Sequence, residues 1–167
     1  MRLADMLDRC RQLEERAAAV YRSFLTARDH DHELAVLWTA MAADEDQHVA
    51  SIVEAKSGLT SAERDAIAID GCEAALVGVA ERLRRAESLG SNATGDSRLG
   101  AALDLELSEL EAIRRVCLQA SGRPVSGEHS HVRHLADMAM RRSRDEHVRL
   151  GAALLLARYR LTADATP

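Results

Sequence analysis

The amino-acid sequence predicts an all-α protein: an antiparallel four-helix bundle made of two duplicated helical hairpins, with a long helical crossover between the second and third helices. Three observations carry that expectation. Apolar residues recur at helical spacing over four long stretches. Alanine, leucine, arginine and glutamate dominate, while Tyr21, Phe24, Trp38 and Tyr159 are the only aromatics, so the core is aliphatic and helix formers outnumber strand formers. A pattern of histidines recurs in both halves. The 167 residues suit one domain with one core. Residues 1–167 divide into a first hairpin over about 3–58, a crossover over about 59–97 and a second hairpin over about 98–161.

The first helix runs from about Leu3 to Ala27, with Leu3, Leu7, Cys10, Glu14, Ala17, Tyr21 and Phe24 on one face. RDHDHE interrupts it, and Asp31 is placed to cap the second helix. That helix carries Leu34, Trp38, Met41, Glu45, His48 and Ile52 in one stripe and ends near Gly58. A connector with an amphipathic stretch from about Asp70 to Ser88 leads to GSNATGDS, Gly90 to Ser97, a loop by composition. The third helix shows Leu99, Leu103, Glu106, Leu110, Ile113 and Cys117 on one face. SGRPVSG breaks the chain again, and a fourth helix is expected from about His131 to Leu161.

The halves repeat. His30, His32 and His48 are separated by 2 and 16 residues, and so are His129, His131 and His147. An offset of 99 also superposes Ala40 on Ala139, Met41 on Met140, Asp46 on Asp145 and Val49 on Val148. The same offset makes Arg144 the counterpart of Glu45.

Composition excludes several classes. The net charge of −5 comes with both signs interspersed, which suggests neither a nucleic-acid surface nor a basic membrane patch. No apolar run approaches the roughly 20 residues of a membrane span, and MRLADMLDRC is too charged for a secretory signal. Cys10, Cys72 and Cys117 are dispersed without a Cys-x-x-Cys pair, so a reduced, cytoplasmic protein with no thiolate metal site is expected.

Glu45 and His48 stand one turn apart and point the same way. Carboxylate plus imidazole is the donor mix of a non-haem iron or manganese site. Alone, such a pair on a helix is more often surface or capping chemistry. Here Leu34, Trp38, Met41 and Ile52 share the stripe, and Glu14 and Glu106 repeat the problem on other helices. Buried acids that face one another repel unless something cationic lies between them. His30, His32, His129 and His131 are expected as exposed helix-start residues, because 16 helical residues span roughly 24 Å. Tyr21 and Trp38 read as core, although an aromatic beside an oxidising metal can also carry an electron.

LEERAAAVYRSF, LWTAMAADEDQH, ALDLELSELE and RRSRDEH together resemble the four ligand helices of the ferritin-like superfamily, specifically its rubrerythrin and bacterioferritin type. The resemblance covers nearly the whole chain outside the connector and implies a metal set of Glu14, Glu45, His48, Glu106 and His147, with Glu109 as the alternative to Glu106. Tyr21 is the candidate catalytic aromatic. The sequence departs from the family at Arg144, where the second Glu-x-x-His motif requires a carboxylate. A guanidinium there can fork across two carboxylates, so the expectation is a reduced site holding one iron ion per chain or none, with manganese or zinc as alternatives. The resemblance implies ferrous-iron oxidation or peroxide reduction, the latter needing an external electron donor. The rival expectation is a non-enzymatic scaffold or partner-binding protein closed by an Arg144–carboxylate network. An iron-storage cage is disfavoured, since the 20 residues after His147 leave no room for a further helix. A homodimer is expected from family habit and from the alanine on the helix faces.

Overall fold

In a computed structural model of the chain, residues 1–26, 31–67, 71–90, 92–121 and 130–163 are described. They form seven helices and no strand: α1 Leu3–Phe24, α2 His32–Ser57, α3 Ser61–Asp65, α4 Cys72–Glu87, α5 Gly95–Ser121, α6 Ser130–Arg142 and α7 Glu146–Ala163. The fold is all-α. None of these helices is long and apolar enough to cross a membrane.

Local chemistry sets most boundaries. The Asp31 carboxylate accepts from the Leu34 amide at 3.2 Å and caps α2. Thr60 and Glu63 form a reciprocal capping box that starts α3, a short helix inside the crossover. Gly71, at φ 87°, turns the chain into α4 through the left-handed region that glycine tolerates. Thr94 Oγ1 accepts from the Ser97 amide at 3.2 Å, so α5 begins inside the stretch expected as loop.

The expected fourth helix is two. After Arg142 the chain leaves the helix for Ser143, Arg144 and Asp145 and re-enters at Glu146. Ser143 Oγ accepts from the Asp145 amide at 3.0 Å. The Asp145 carboxylate accepts from the His147 amide at 2.8 Å, while its carbonyl accepts the first bond of α7 from Arg149 at 3.1 Å. Asp145 is therefore the N-cap of α7. Serine and aspartate compete with the helix for backbone partners, and here they win.

Lys56, near the end of α2, bonds Asp8, near the start of α1, at 2.6 Å. Trp38, near the start of α2, stacks on Tyr21, near the end of α1, with rings 6.2 Å apart. The two helices therefore run antiparallel. α5 packs on α1, α2, α4, α6 and α7; α6 also touches α2, and α4 covers α1 and α5. Arg16 forks onto Glu87 at 2.8 and 3.0 Å to tie α4 to α1. Buried Arg98 donates to the Phe24 carbonyl at 3.2 Å, satisfying the open end of α1.

The core is aliphatic, led by Leu7, Leu37, Met41, Leu76, Leu83, Leu99 and Leu103, with Trp38 and Tyr21 as its two largest side chains. Cys10, Cys72 and Cys117 are buried within it. Burial pushes the Cys117 thiol up to about 12 and raises that of Cys10 further, so both remain protonated packing groups.

Two substitutions test the break between α6 and α7. Asp145→Ala removes the cap and is expected to cost about 1 kcal/mol. Arg144→Glu, on an exposed loop residue, is expected to change stability by less than about 0.5 kcal/mol. Urea denaturation of both variants checks this, and an equal loss for the two would contradict the capping account.

Candidate metal centre

Three glutamates occupy positions where a helix facing a core normally places an aliphatic residue. Glu14 lies on the buried face of α1 with Cys10, Ala17 and Tyr21. Glu45 lies on that of α2 with Trp38, Met41 and Ile52. Glu106 is buried on α5 beside Leu103 and Leu105. Helix backbones cannot satisfy these carboxylates, since their amides are already paired within the helix. Their partners must come from side chains.

Two histidines supply them. His48 Nδ1 lies 3.0 Å from Glu45 Oε2 and 3.8 Å from Glu14 Oε1. His131, on the first turn of α6, turns Nε2 toward Glu106 Oε2 at 3.6 Å, and its Nδ1 is held by the Asp44 carboxylate. The two rings are 6.1 Å apart. Tyr21 Oη donates to Glu106 Oε1 at 2.9 Å. The donors form two trios, Glu14–Glu45–His48 and Glu45–Glu106–His131, each with one ligand atom per residue and all three within 4.8 Å of one another. Glu45 belongs to both.

Of the residues expected at a site, Glu14, Glu45, His48, Glu106 and Tyr21 meet here. The other two do not, and both expectations are corrected. Arg144 stands exposed in the loop between α6 and α7, so no guanidinium closes the centre from that position. The His147 side chain is 98% exposed, because the Asp145 cap restarts the helix with His147 in its outward-facing first turn. His131, expected at the surface, replaces it, with a side chain only 2% exposed. His32 is exposed, whereas His30, His129 and the Glu109 side chain lie outside the described residues. Two of the pairs superposed by the offset of 99 therefore occupy unlike environments: Met41 is buried and Met140 exposed, His48 faces inward and His147 outward.

A sequence signal for His131 existed. It follows Glu128 by three residues, as His48 follows Glu45. Glu128 itself lies outside the described residues.

Electrostatics tie the trios together. Burial pushes the His48 imidazole down, but the Glu14 carboxylate, with help from Glu106, holds it above its ordinary 6.5. Burial opposes protonation of His131 too, and Glu106 and Asp44 overcome it. Burial would raise Glu106, yet His131 and the Tyr21 hydroxyl keep it below the usual 4.5. His48 lies beside Glu14 and Glu45, and His131 beside Glu106. Glu14 Oε2 is buried with no hydrogen-bond partner among the described residues, as is Trp38 Nε1.

No protein-family model matches the chain, and no curated protein or solved structure is significantly similar to it.

The shifts fix the pH behaviour of metal-free protein. A histidine raised on folding stabilises below its ordinary value, and that contribution disappears as pH rises through the folded value. A glutamate lowered on folding stabilises above its ordinary value and loses that contribution as pH falls. Chelator-treated protein is thus expected to be most stable between the ordinary values of 4.5 and 6.5 and to weaken on either side. Denaturation across that range checks this. His131→Gln is expected to remove the His131 share of the decline above pH 6.5 and leave that of His48, and an unchanged profile would disprove its origin here.

Proposed function

We propose that this chain is a ferritin-like, rubrerythrin-type protein: a four-helix bundle of two related hairpins that binds a pair of divalent transition-metal ions. The observation that carries this reading is Glu45, a buried carboxylate shared by two trios of carboxylate and imidazole donors. That donor mix suits iron, with manganese and zinc as alternatives, and contains no thiolate to favour a softer ion. The unsatisfied Glu14 Oε2 supports the fit, since an oxygen buried without a donor is costly unless a ligand supplies the charge.

With Arg144 outside, the reason for expecting one ion at most is gone. Ferritin-like di-iron proteins take one glutamate from each of two helices and a Glu-x-x-His pair from each of the other two. Glu14 and Glu106 fit the first role, Glu45 with His48 the second, and the spacing from Glu128 to His131 repeats the second in sequence. Glu14, Glu45, Glu106, His48 and His131 would hold the metal, with Asp44 orienting His131 and Tyr21 orienting Glu106.

Bound metal would supply redox capacity in an enclosed site, matching oxidation of ferrous iron as substrate or reduction of peroxide. Peroxide reduction requires electrons from outside the chain, because its three cysteines are buried core residues with no Cys-x-x-Cys pair. A second reading is favoured by one observation, the raised values of His48 and His131. Two imidazolium cations can themselves close the centre and leave a metal-free scaffold.

Metal analysis of native protein separates the two. Two equivalents per chain are expected, falling to none in Glu45→Ala and staying at two in Arg144→Glu. Glu128→Gln, chosen on sequence spacing alone, is expected to weaken binding. Metal at about 100 times its Kd should raise stability by about 2.7 kcal/mol. Failure of wild-type protein to bind iron, manganese or zinc would leave the scaffold reading.

A further inference from the structure

We propose that the two trios are unequal: Glu45–Glu106–His131 holds a resident divalent ion, and Glu14–Glu45–His48 holds an exchangeable ion that communicates with solvent. This rests on the metal-binding reading above and adds an order of filling to it.

Exposure separates the trios first. The His131 side chain is 2% exposed and that of His48 16%, so solvent reaches the centre past His48. Any ligand that replaces a protein donor or strips an ion must approach from that side.

Anchoring separates them next. In the inner trio each residue of its own is fixed from behind. Asp44 holds Nδ1 of His131, which leaves Nε2 turned toward Glu106, and Tyr21 holds Glu106 Oε1 at 2.9 Å. Such outer partners fix ring and carboxylate orientation before an ion arrives, so little ordering remains to oppose binding. In the outer trio Glu14 has one oxygen 3.8 Å from His48 and the other without a hydrogen-bond partner among the described residues. It has no comparable anchor.

Charge then imposes the order. An ion entering first meets Glu14, Glu45 and Glu106 with no other metal ion beside them. A second ion meets the same three carboxylates after two of their charges have been neutralised, and it must share Glu45. The anchored, enclosed trio takes the first ion. The open trio takes the second, more weakly.

The test is chelation of zinc-loaded protein, followed by absorbance of a zinc-binding dye in excess. Release is expected in two phases of one equivalent each, with rates differing by about tenfold or more. His48→Ala is expected to remove the fast equivalent and leave one slowly released ion. Asp44→Asn should speed the slow phase by about 10- to 100-fold, the usual effect of losing a partner behind a ligand, and leave the fast phase in place. Tyr21→Phe provides the same readout through Glu106 should Asp44→Asn fail to fold by circular dichroism. Two equivalents leaving in one phase, or loss of the slow equivalent in His48→Ala, would overturn this ordering while leaving the metal centre standing. Absence of bound zinc would remove both.

Discussion

Three carboxylates that must be buried facing one another are the constraint on which the rest of this structure depends. An isolated ionised carboxylate in an apolar interior is very costly, and three close together add mutual repulsion. Glu14, Glu45 and Glu106 are all almost fully buried. Each sits mid-helix, where the backbone has nothing left to donate. The partners therefore determine which helices lie opposite which: Tyr21 from α1, His48 from α2 and His131 from α6. Helices α3, α4 and α7 contribute none of these donors. Apolar replacements of buried charged groups are often neutral or stabilising, so stability alone gives no reason for these acids.

Much of this was legible in the sequence, because burial along a helix follows a fixed period. The stripes through Leu7, Cys10 and Ala17, through Trp38, Met41 and Ile52, and through Leu99, Leu103 and Ile113 are all buried. An acid within each stripe was bound to be buried with it. The second half was misread at one point, and the helical period shows why. His131 and His147 are 16 residues apart, about four and a half turns, so on one straight helix they face opposite ways. Only one of them can reach the core. Val132, Leu135, Ala136 and Ala139 lie on the buried side with His131, whereas His147 is exposed together with Glu146 and Leu150. The same separation divides His32 from His48 on α2, but there the later histidine faces inward. Matching gaps between histidines therefore say nothing about which member of a pair is buried.

The interruption between α6 and α7 was also written in the chain, as Ser143 and Asp145, two residues that readily take backbone amides from a helix. Positional similarity to the second helix hid it. A correspondence of types across an offset carries no phase information once a cap intervenes. Arg144 falls in the three residues between helices, so its counterpart relation to Glu45 has no structural meaning.

The arginine that positions α6 against α2 is Arg142. It bonds both oxygens of Asp31, one of them at 2.9 Å, and reaches Glu33 at 3.2 Å. Exposed ion pairs contribute little stability, but this one fixes register. At the other end of α6, His131 meets Asp44. The chain thus joins α6 to α2 at two places, 11 residues apart on α6 and 11 to 13 apart on α2, with the order of contacts reversed. The helices must run antiparallel, and at about 1.5 Å per residue the two spacings agree to within roughly 3 Å. A slip of one turn would displace His131 by about 5.4 Å, beyond reach of both Asp44 and Glu106. The surface pair at one end of α6 thereby sets the position of the buried imidazole at the other, and with it the geometry of the trio that Glu45 shares.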